Sequence, residues 1–550
     1  MRTRAPLIAV VVLLCINLLA ACSGPERERD VQSTPGATAT AAATSTVPAG
    51  ATSTGMPGAV DGTATVKSGV ALTATAGSTA TVASTATIPP PTATMIPTAT
   101  PSPTSTIEPT PSPTPLVRPV DQDIDLPDVS ATYDLVVDVL DVDTGAVHAF
   151  ETITVVANGA ELPSELFLQV VPAMYGYFTL ESLAVNGNPV SPTVLNDGFT
   201  LVLDLSSISG GTVVIDVVFA LLIGRESSGW GVVSLDAGIL RLGNWFPIIS
   251  DDHGPSETLD PSYTAVATFD VIVTVPSDTV VAHTGDMVDS IVLEDGSIEF
   301  TFHAEQVRDF AMTASRDYRS IVATSANGVQ VEVYSVSATA GQEATMLQTA
   351  VDALDLLHGL IGPYPYTTLR IVDAGPTLPG GVEFPGLIYV NPAYQPLDRL
   401  LYHEIAHQWL YGIIGTRTLI DGWVDEGGAE FFERGLPTGF VERAPVPDGG
   451  FLYPLDSSSV ELPLEPRDAW YRAIYEQGAH FYMAVLEQMG NDPFWASMRE
   501  LYAQFAFGIA TAWDVLLNWQ MHSPADLRPL FRETFRYTWI DQLPEPGGVD

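Results

Sequence analysis

Between Ser23 and Val117 this 550-residue chain offers almost nothing from which a core could be built. Thr, Ala, Ser, Pro and Gly dominate, as in the runs Pro89–Pro91 and Pro109–Pro113. Large apolar side chains are too sparse to offset the entropy of ordering such a stretch. It reads as a disordered, semi-extended stalk. A random coil of about 95 residues spans roughly 50–60 Å. Globular structure is therefore expected in residues 118–550. With 46% of the chain hydrophobic, there is enough apolar material to bury sizeable cores.

Residues 1–22 carry a different signal. Arg2 and Arg4 precede an apolar run from Leu7 to Leu19, and Ala20, Ala21 and Cys22 follow. A basic start, a short apolar centre and small residues at the end make a secretory signal, and the run is short for a membrane span. The four residues Leu19 to Cys22 resemble a bacterial lipobox. That resemblance implies cleavage before Cys22 and attachment of lipid to its sulfur. The protein is thus expected to be an extracytoplasmic, membrane-anchored lipoprotein at the cell surface, with the stalk holding a folded head clear of the anchor.

Charge narrows the partners. There are 65 acidic residues against 22 basic ones, a formal net charge of -43, and Lys67 is the sole lysine. Such a chain repels phosphate backbones, so nucleic acid is not an expected partner. The two cysteines are Cys15 and Cys22. The body therefore holds neither disulfides nor cysteine-ligated metal, and its chemistry falls to histidine, carboxylate and tyrosine.

The pattern within 118–334 is that of strands. Tyr133–Leu140, Phe199–Leu205, Thr212–Phe219 and Phe269–Val275 alternate apolar and polar residues, with turn residues such as Asn186–Pro189 between them. An antiparallel all-β domain is expected there. Its histidines (His148, His253, His283 and His303) are scattered and read as structural or solvated. From 335 to 550 the periodicity becomes helical. Helices are expected at 344–360, 397–411, 423–434, 468–489 and 493–504, with two more in 511–540 and a β segment over 369–390. Strands followed by helices make this part α+β.

The chemistry centres on Tyr402, His403, Glu404, Ile405, Ala406, His407 and Gln408. Helical residues four apart share a face, so His403 and His407 can each aim a nitrogen at one metal. Glu404 lies beside them, placed to reach a bound water. A tetrahedral catalytic zinc needs a third protein ligand and an open position. Glu426, 19 residues after His407 and opening a second helix, supplies it. Two imidazoles and a carboxylate leave one Zn2+ per chain with net positive charge, hence a strong Lewis acid. Glu430 and Glu433 follow on the same helix face; Glu430 reads as solvated and Glu433 as a hydrogen-bond partner for a ligating histidine. His358 and His480 read as packing or surface residues.

The spacing of His403, Glu404 and His407, with Glu426 inside Trp423, Val424, Asp425, Glu426 and Gly427, resembles the aminopeptidase N family of gluzincins. Two further segments are similar to family motifs: Gly380, Gly381, Val382, Glu383 and Phe384, and Tyr475, Glu476, Gln477, Gly478 and Ala479. The resemblance implies a thermolysin-like catalytic domain behind an N-terminal β domain, acting on peptides or proteins. It implies a zinc-activated water with Glu404 as general base, Tyr475 as donor to the developing oxyanion, and Glu383 as the group that binds the substrate's free α-amine. Gly380 and Gly381 would let the backbone lie along the peptide.

The sequence departs from the family where Val382, Phe384 and Gln477 replace the motifs' Met, Asn and Lys. It also ends about 75 residues after Tyr475, so it reads as a short form without the large C-terminal helical domain and with a more open cleft. Oligomeric state is not legible. Two other functions share these features: a zinc endopeptidase using the same machinery, and an inactive surface protein that binds peptides or adheres.

Overall fold

The computed structural model describes residues 117–547 apart from 226–230, 256–262, 442–452 and 458–467. The signal segment, Cys22 and the stalk to residue 116 lie outside the described residues. Among the described residues no helix is long and apolar enough to cross a membrane.

The alternating segments form the β-rich region. Its largest sheet has eight strands, with Val129–Asp141 at its centre between Ala146–Ala157 and Ala267–Val275. Side chains such as Tyr133, Leu135, Val137, Ile153, Ile215 and Phe269 point from it into one core, which two four-stranded sheets cover. The expected antiparallel pairing holds with one exception: Val129–Asp141 and Ala267–Val275 run parallel. More than 120 residues separate these strands in sequence, so no hairpin dictates their direction.

A third sheet builds the other half of the molecule. It has five strands in the order Arg319–Thr324, Gln330–Ser335, Thr368–Asp373, Leu387–Val390, Gly381–Phe384. The first two alternate as the β-rich region does, and the sequence boundary at 334/335 placed them there. They pair instead with the helical half, because alternation fixes which side chains share a face but not which sheet a strand joins. The sheet is covered on both faces. Val372, Val382, Phe384, Leu387 and Tyr389 pack into the β-rich core. Leu369, Ile371, Ile388 and Val390 pack against helices. The two halves thus share this layer, and buried arginines also join them: Arg308 donates to the carbonyls of Tyr411 and Gly508, and Arg370 to those of His283 and Gly285.

The longer helices among the described residues are Ala340–Leu360, Leu397–Ala406, Thr418–Gly435, Gln477–Met489, Asn491–Phe505, Ala512–His522 and Arg528–Thr534, with the short helix Asp468–Tyr471 running into a widened turn at Arg472–Glu476. Thr339 and Gln342 cap the first reciprocally, and Thr511 with Asp514 cap Ala512–His522 in the same way. The helix expected over 397–411 stops at Ala406; residues after His407 turn so that Trp409, Leu410, Ile413 and Ile414 all become buried.

One carboxyl in the β-rich core breaks the rule that buried polar groups are paired. Glu151 is fully buried, opposite Leu135 and Val217 on neighbouring strands, and neither of its oxygens has a hydrogen-bond partner. Burial raises its pKa well above the ordinary carboxyl value. A folded-state pKa above that of the unfolded chain means stability present at low pH and lost as pH rises from about 4. Replacing Glu151 by Met is expected to stabilise the protein at neutral pH by about 1–3 kcal/mol. Urea unfolding at pH 4 and 7 checks this: the gain should be larger at pH 7, and a destabilised variant would show that the carboxyl is held by a group not seen here.

Candidate metal centre

Four segments converge on His403. The helix Leu397–Ala406 brings His403 and, as its C-terminal flanking residue, His407 to one face. The helix Thr418–Gly435 brings Glu426 across from them. His403 Nε2 and His407 Nε2 are 3.1 Å apart, and Glu426 Oε2 is 3.2 Å from each. Ligand atoms around a tetrahedral ion with bonds of 2.0–2.1 Å lie about 3.3 Å from one another. The two-histidine, one-carboxylate donor set therefore fits zinc, both in chemistry and in span.

The electrostatics agree. Burial alone would depress the His403 imidazole, yet Glu426 and Glu433 beside it hold it up, to about 10. Burial opposes His407 in the same way, and Glu383, Asp425 and Glu426 hold it high. Glu426 is pulled well below the usual carboxylate range, against its own burial, by both histidines. A pocket that draws protons so strongly onto two facing nitrogens is one whose field favours a cation between them.

The partners of the ligands were only partly legible. Glu433 Oε2 lies 3.6 Å from His403 Nδ1, an ion-pair rather than a hydrogen-bond distance. Asp425 accepts from His407 Nδ1 at 2.7 Å, which selects the tautomer that leaves Nε2 free for a metal. Sequence reasoning missed Asp425; the signal available was a carboxylate directly before Glu426. Glu430, expected in solvent, is buried and pairs with Arg434, with its other oxygen 3.9 Å from His403 Nδ1. Its helix keeps a few partly exposed residues, among them Glu426, Glu433 and Arg434, but Glu430 lies buried with Trp423, Phe431 and Phe432 of the same helix.

Glu404 is buried, and its Oε2 has no hydrogen-bond partner. Desolvation raises its carboxyl, to about 7. Gly381 lies directly against it: a Cβ at that position would sit 2.4 Å from the Glu404 carboxyl carbon. Gly380 precedes it, and Glu383 follows on the same edge strand, close enough to raise both His407 and Tyr475. Phe384, at the motif's Asn position, is buried with its ring over Gly243 and 5.0 Å from the ring of Tyr389. This residue therefore faces the interior and not the cleft.

Tyr475 stands in the widened turn Arg472–Glu476. An extra residue in a helical turn re-aims its side chains, and such turns are frequent at functional sites. Its hydroxyl donates to Glu426 Oε1 at 2.5 Å, and its ring stacks on His403 at 5.7 Å. Burial and Glu426 push its pKa up, so it stays a neutral O–H donor. The approach depends on a backbone contact. Gly427 and Gly478 face each other where their helices cross, and a Cβ on either would lie 2.7 Å from the other's Cα. Each is the first glycine after its motif residue, Glu426 or Tyr475. His480 and His358 lie outside this cluster.

Solved structures share this fold. An M1 zinc metallopeptidase from Deinococcus radiodurans aligns over 78% of this chain and 96% of its own, with a TM-score of 0.54 at 18% identity. A mutant two-domain M1 zinc metallopeptidase, bound to L-tryptophan, aligns over 77% and 98% with a TM-score of 0.56, also at 18% identity. The fold is that of the M1 zinc metallopeptidases.

Curated sequence relatives include aminopeptidases. Mouse endoplasmic reticulum aminopeptidase 1 is 23% identical over 266 residues, 43% of this chain and 28% of the relative. Human aminopeptidase B is 24% identical over 180 residues, 28% of each chain. Leukotriene A-4 hydrolase of Xenopus laevis is 31% identical over 86 residues, 15% of this chain and 14% of the relative. The chain thus spans less than a third of the curated relatives it matches. No protein-family model matches it. The resemblance to the aminopeptidase N family is borne out in both sequence and fold.

Proposed function

We propose that this chain is a zinc aminopeptidase that removes N-terminal residues from peptides or proteins. The observation that carries the reading is the set of three donor atoms 3.1–3.2 Å apart, with a buried and unpartnered Glu404 oxygen beside it. Zinc, held by His403, His407 and Glu426, would supply Lewis acidity and an acidified water. Glu404 takes the proton of the attacking water and passes it to the leaving amine, a role that suits a carboxyl raised toward neutrality. Tyr475, whose hydroxyl donates to Glu426 Oε1 here, turns that one proton from the carboxylate to the oxyanion as it forms. Glu383 pairs with the α-amine and so places the first peptide bond at the metal. Gly380 and Gly381 leave the edge strand open for a peptide backbone.

Peptides with free and acetylated N-termini, assayed with and without a chelator, test this reading. Free-amine peptides should be cleaved one residue at a time, the chelator should stop cleavage, and zinc should restore it. Equal rates on acetylated peptides would favour the endopeptidase. Tyr475→Phe is expected to lower kcat by about 10²–10³ with KM and zinc content little changed. A kcat within about twofold of the parent would remove Tyr475 from the reaction.

The exported, lipid-anchored state belongs to the same proposal and rests on residues 1–22 alone. Labelling with a radioactive fatty acid should mark the parent protein and not a Cys22→Ala variant, which should be recovered in the soluble fraction.

A further inference from the structure

Gln408, which follows the ligand His407, is buried and does not reach the cleft, yet each end of its amide is engaged on two groups. Its Nε2 donates to the carbonyl of Phe384 at 3.1 Å and of Glu383 at 3.4 Å. Its Oε1 accepts from the Gly386 N–H at 2.9 Å and from the Tyr364 hydroxyl at 3.1 Å. Three of these four partners lie at one hairpin end: Glu383 and Phe384 close the strand Gly381–Phe384, and Gly386 is in the turn that joins it to Leu387–Val390.

That strand is the edge of its sheet, with a single neighbour. The ladder fixes it along one side only, so its distance from the metal helix needs another tether. One tether is the contact of Gly381 with Glu404. The other is Gln408, and Glu383 lies between the two. A planar amide with donors at one end and an acceptor at the other satisfies both carbonyls and the N–H together, which neither a carboxylate nor a thioether does.

We propose that Gln408 is a positioning residue for free-amine recognition: it locks the turn after Glu383 onto the metal helix and thereby sets where the Glu383 carboxylate stands relative to the metal ligands. The inference rests on the aminopeptidase reading. Tyr364, whose ring lies 5.5 Å from that of Trp409, braces the amide from behind.

The test uses the full-length, zinc-loaded protein and the paired free and acetylated peptides. Gln408→Met should raise KM for the free-amine peptide about tenfold with little change in kcat, and should cut the preference for free over acetylated peptide by a similar factor. Zinc content should match the parent. Placed in a Glu383→Ala background, Gln408→Met should change activity by less than about twofold, because residues acting through one another are not additive. Tyr364→Phe, which removes one hydrogen bond and keeps the ring, should shift the preference in the same direction by less, and it carries the test if Gln408→Met does not fold. A Gln408→Met or Tyr364→Phe protein that keeps the parent's preference overturns the inference, as does a loss of equal size with and without Glu383. A parent that itself does not distinguish the two peptides overturns the aminopeptidase reading instead.

Discussion

Glu404→Gln is expected to lower kcat by about 10²–10⁴ while the protein still binds one zinc. Glutamine has the shape of the residue it replaces, so it fits against Gly381, where the space is defined by direct contact with the Glu404 carboxyl. It is not one of the three donors, which are His403, His407 and Glu426. What it cannot do is accept a proton from water and return it. The measurement is kcat on a free-amine peptide beside metal content by absorption spectroscopy. A variant as active as the parent would mean that hydrolysis does not run through this site, and would favour a chain that binds peptides without cleaving them. A variant that loses zinc would place Glu404 among the metal's supports.

Arg417→Met should cost about 3–5 kcal/mol of stability, because it strips the counter-charge from a buried carboxylate. Arg417 and Asp421 are both buried, and Arg417 Nε donates to Asp421 Oδ2 at 2.8 Å. The same guanidinium donates to the carbonyls of Asp121 and Asp123 and to Gln122 Oε1, which also accepts from the Trp513 N–H. Asp421 in turn accepts from the Ala512 N–H and the Tyr537 hydroxyl. The pair thus ties the segment ahead of the first strand, the start of the Glu426 helix and the C-terminal helices into one node. Removing the arginine leaves Asp421 desolvated without its counter-charge and takes one donor each from Gln122 and from the carbonyls of Asp121 and Asp123. Arg417→Met with Asp421→Asn should recover part of the loss, since the stranded charge goes too. Thermal unfolding of the three proteins decides it: a double variant less stable than the single one by the full cost of a second lesion would contradict this account. Because Asp421 lies one turn before Asp425 and Glu426, zinc affinity should fall along with stability.

Much of the catalytic chemistry could be read from the chain because it is written in local spacing. Histidines four apart on a helix must share a face, and Glu426, expected to open the next helix, lies inside it because that helix begins earlier, at Thr418. Alternation likewise marked the strands, and helical periodicity the helices, to within a few residues. What the spacing could not carry was partnership. The strands Arg319–Thr324 and Gln330–Ser335 look like those of the β-rich region and join the other sheet. Glu430 looks like a surface residue and is buried, because whether a helix has a solvent face depends on what packs around it. Glu151 sits in an alternating strand as an apolar residue would, and only the closed core shows that its carboxyl has no partner.

The sequence by itself determined the proposed metal site, with His403, His407 and Glu426 as candidate ligands and Glu404 as candidate base, while its resemblance to a family pointed to Glu383 and Tyr475. Tertiary structure decided how those pieces are held: Asp425 on His407, Tyr475 brought to Glu426 across the Gly427–Gly478 contact, and the Glu383 turn clamped by Gln408. The reason is physical. A ligand set is fixed by helix geometry over a few residues, whereas burial, close helix contact and the satisfaction of buried amides depend on segments tens to hundreds of residues apart in the chain.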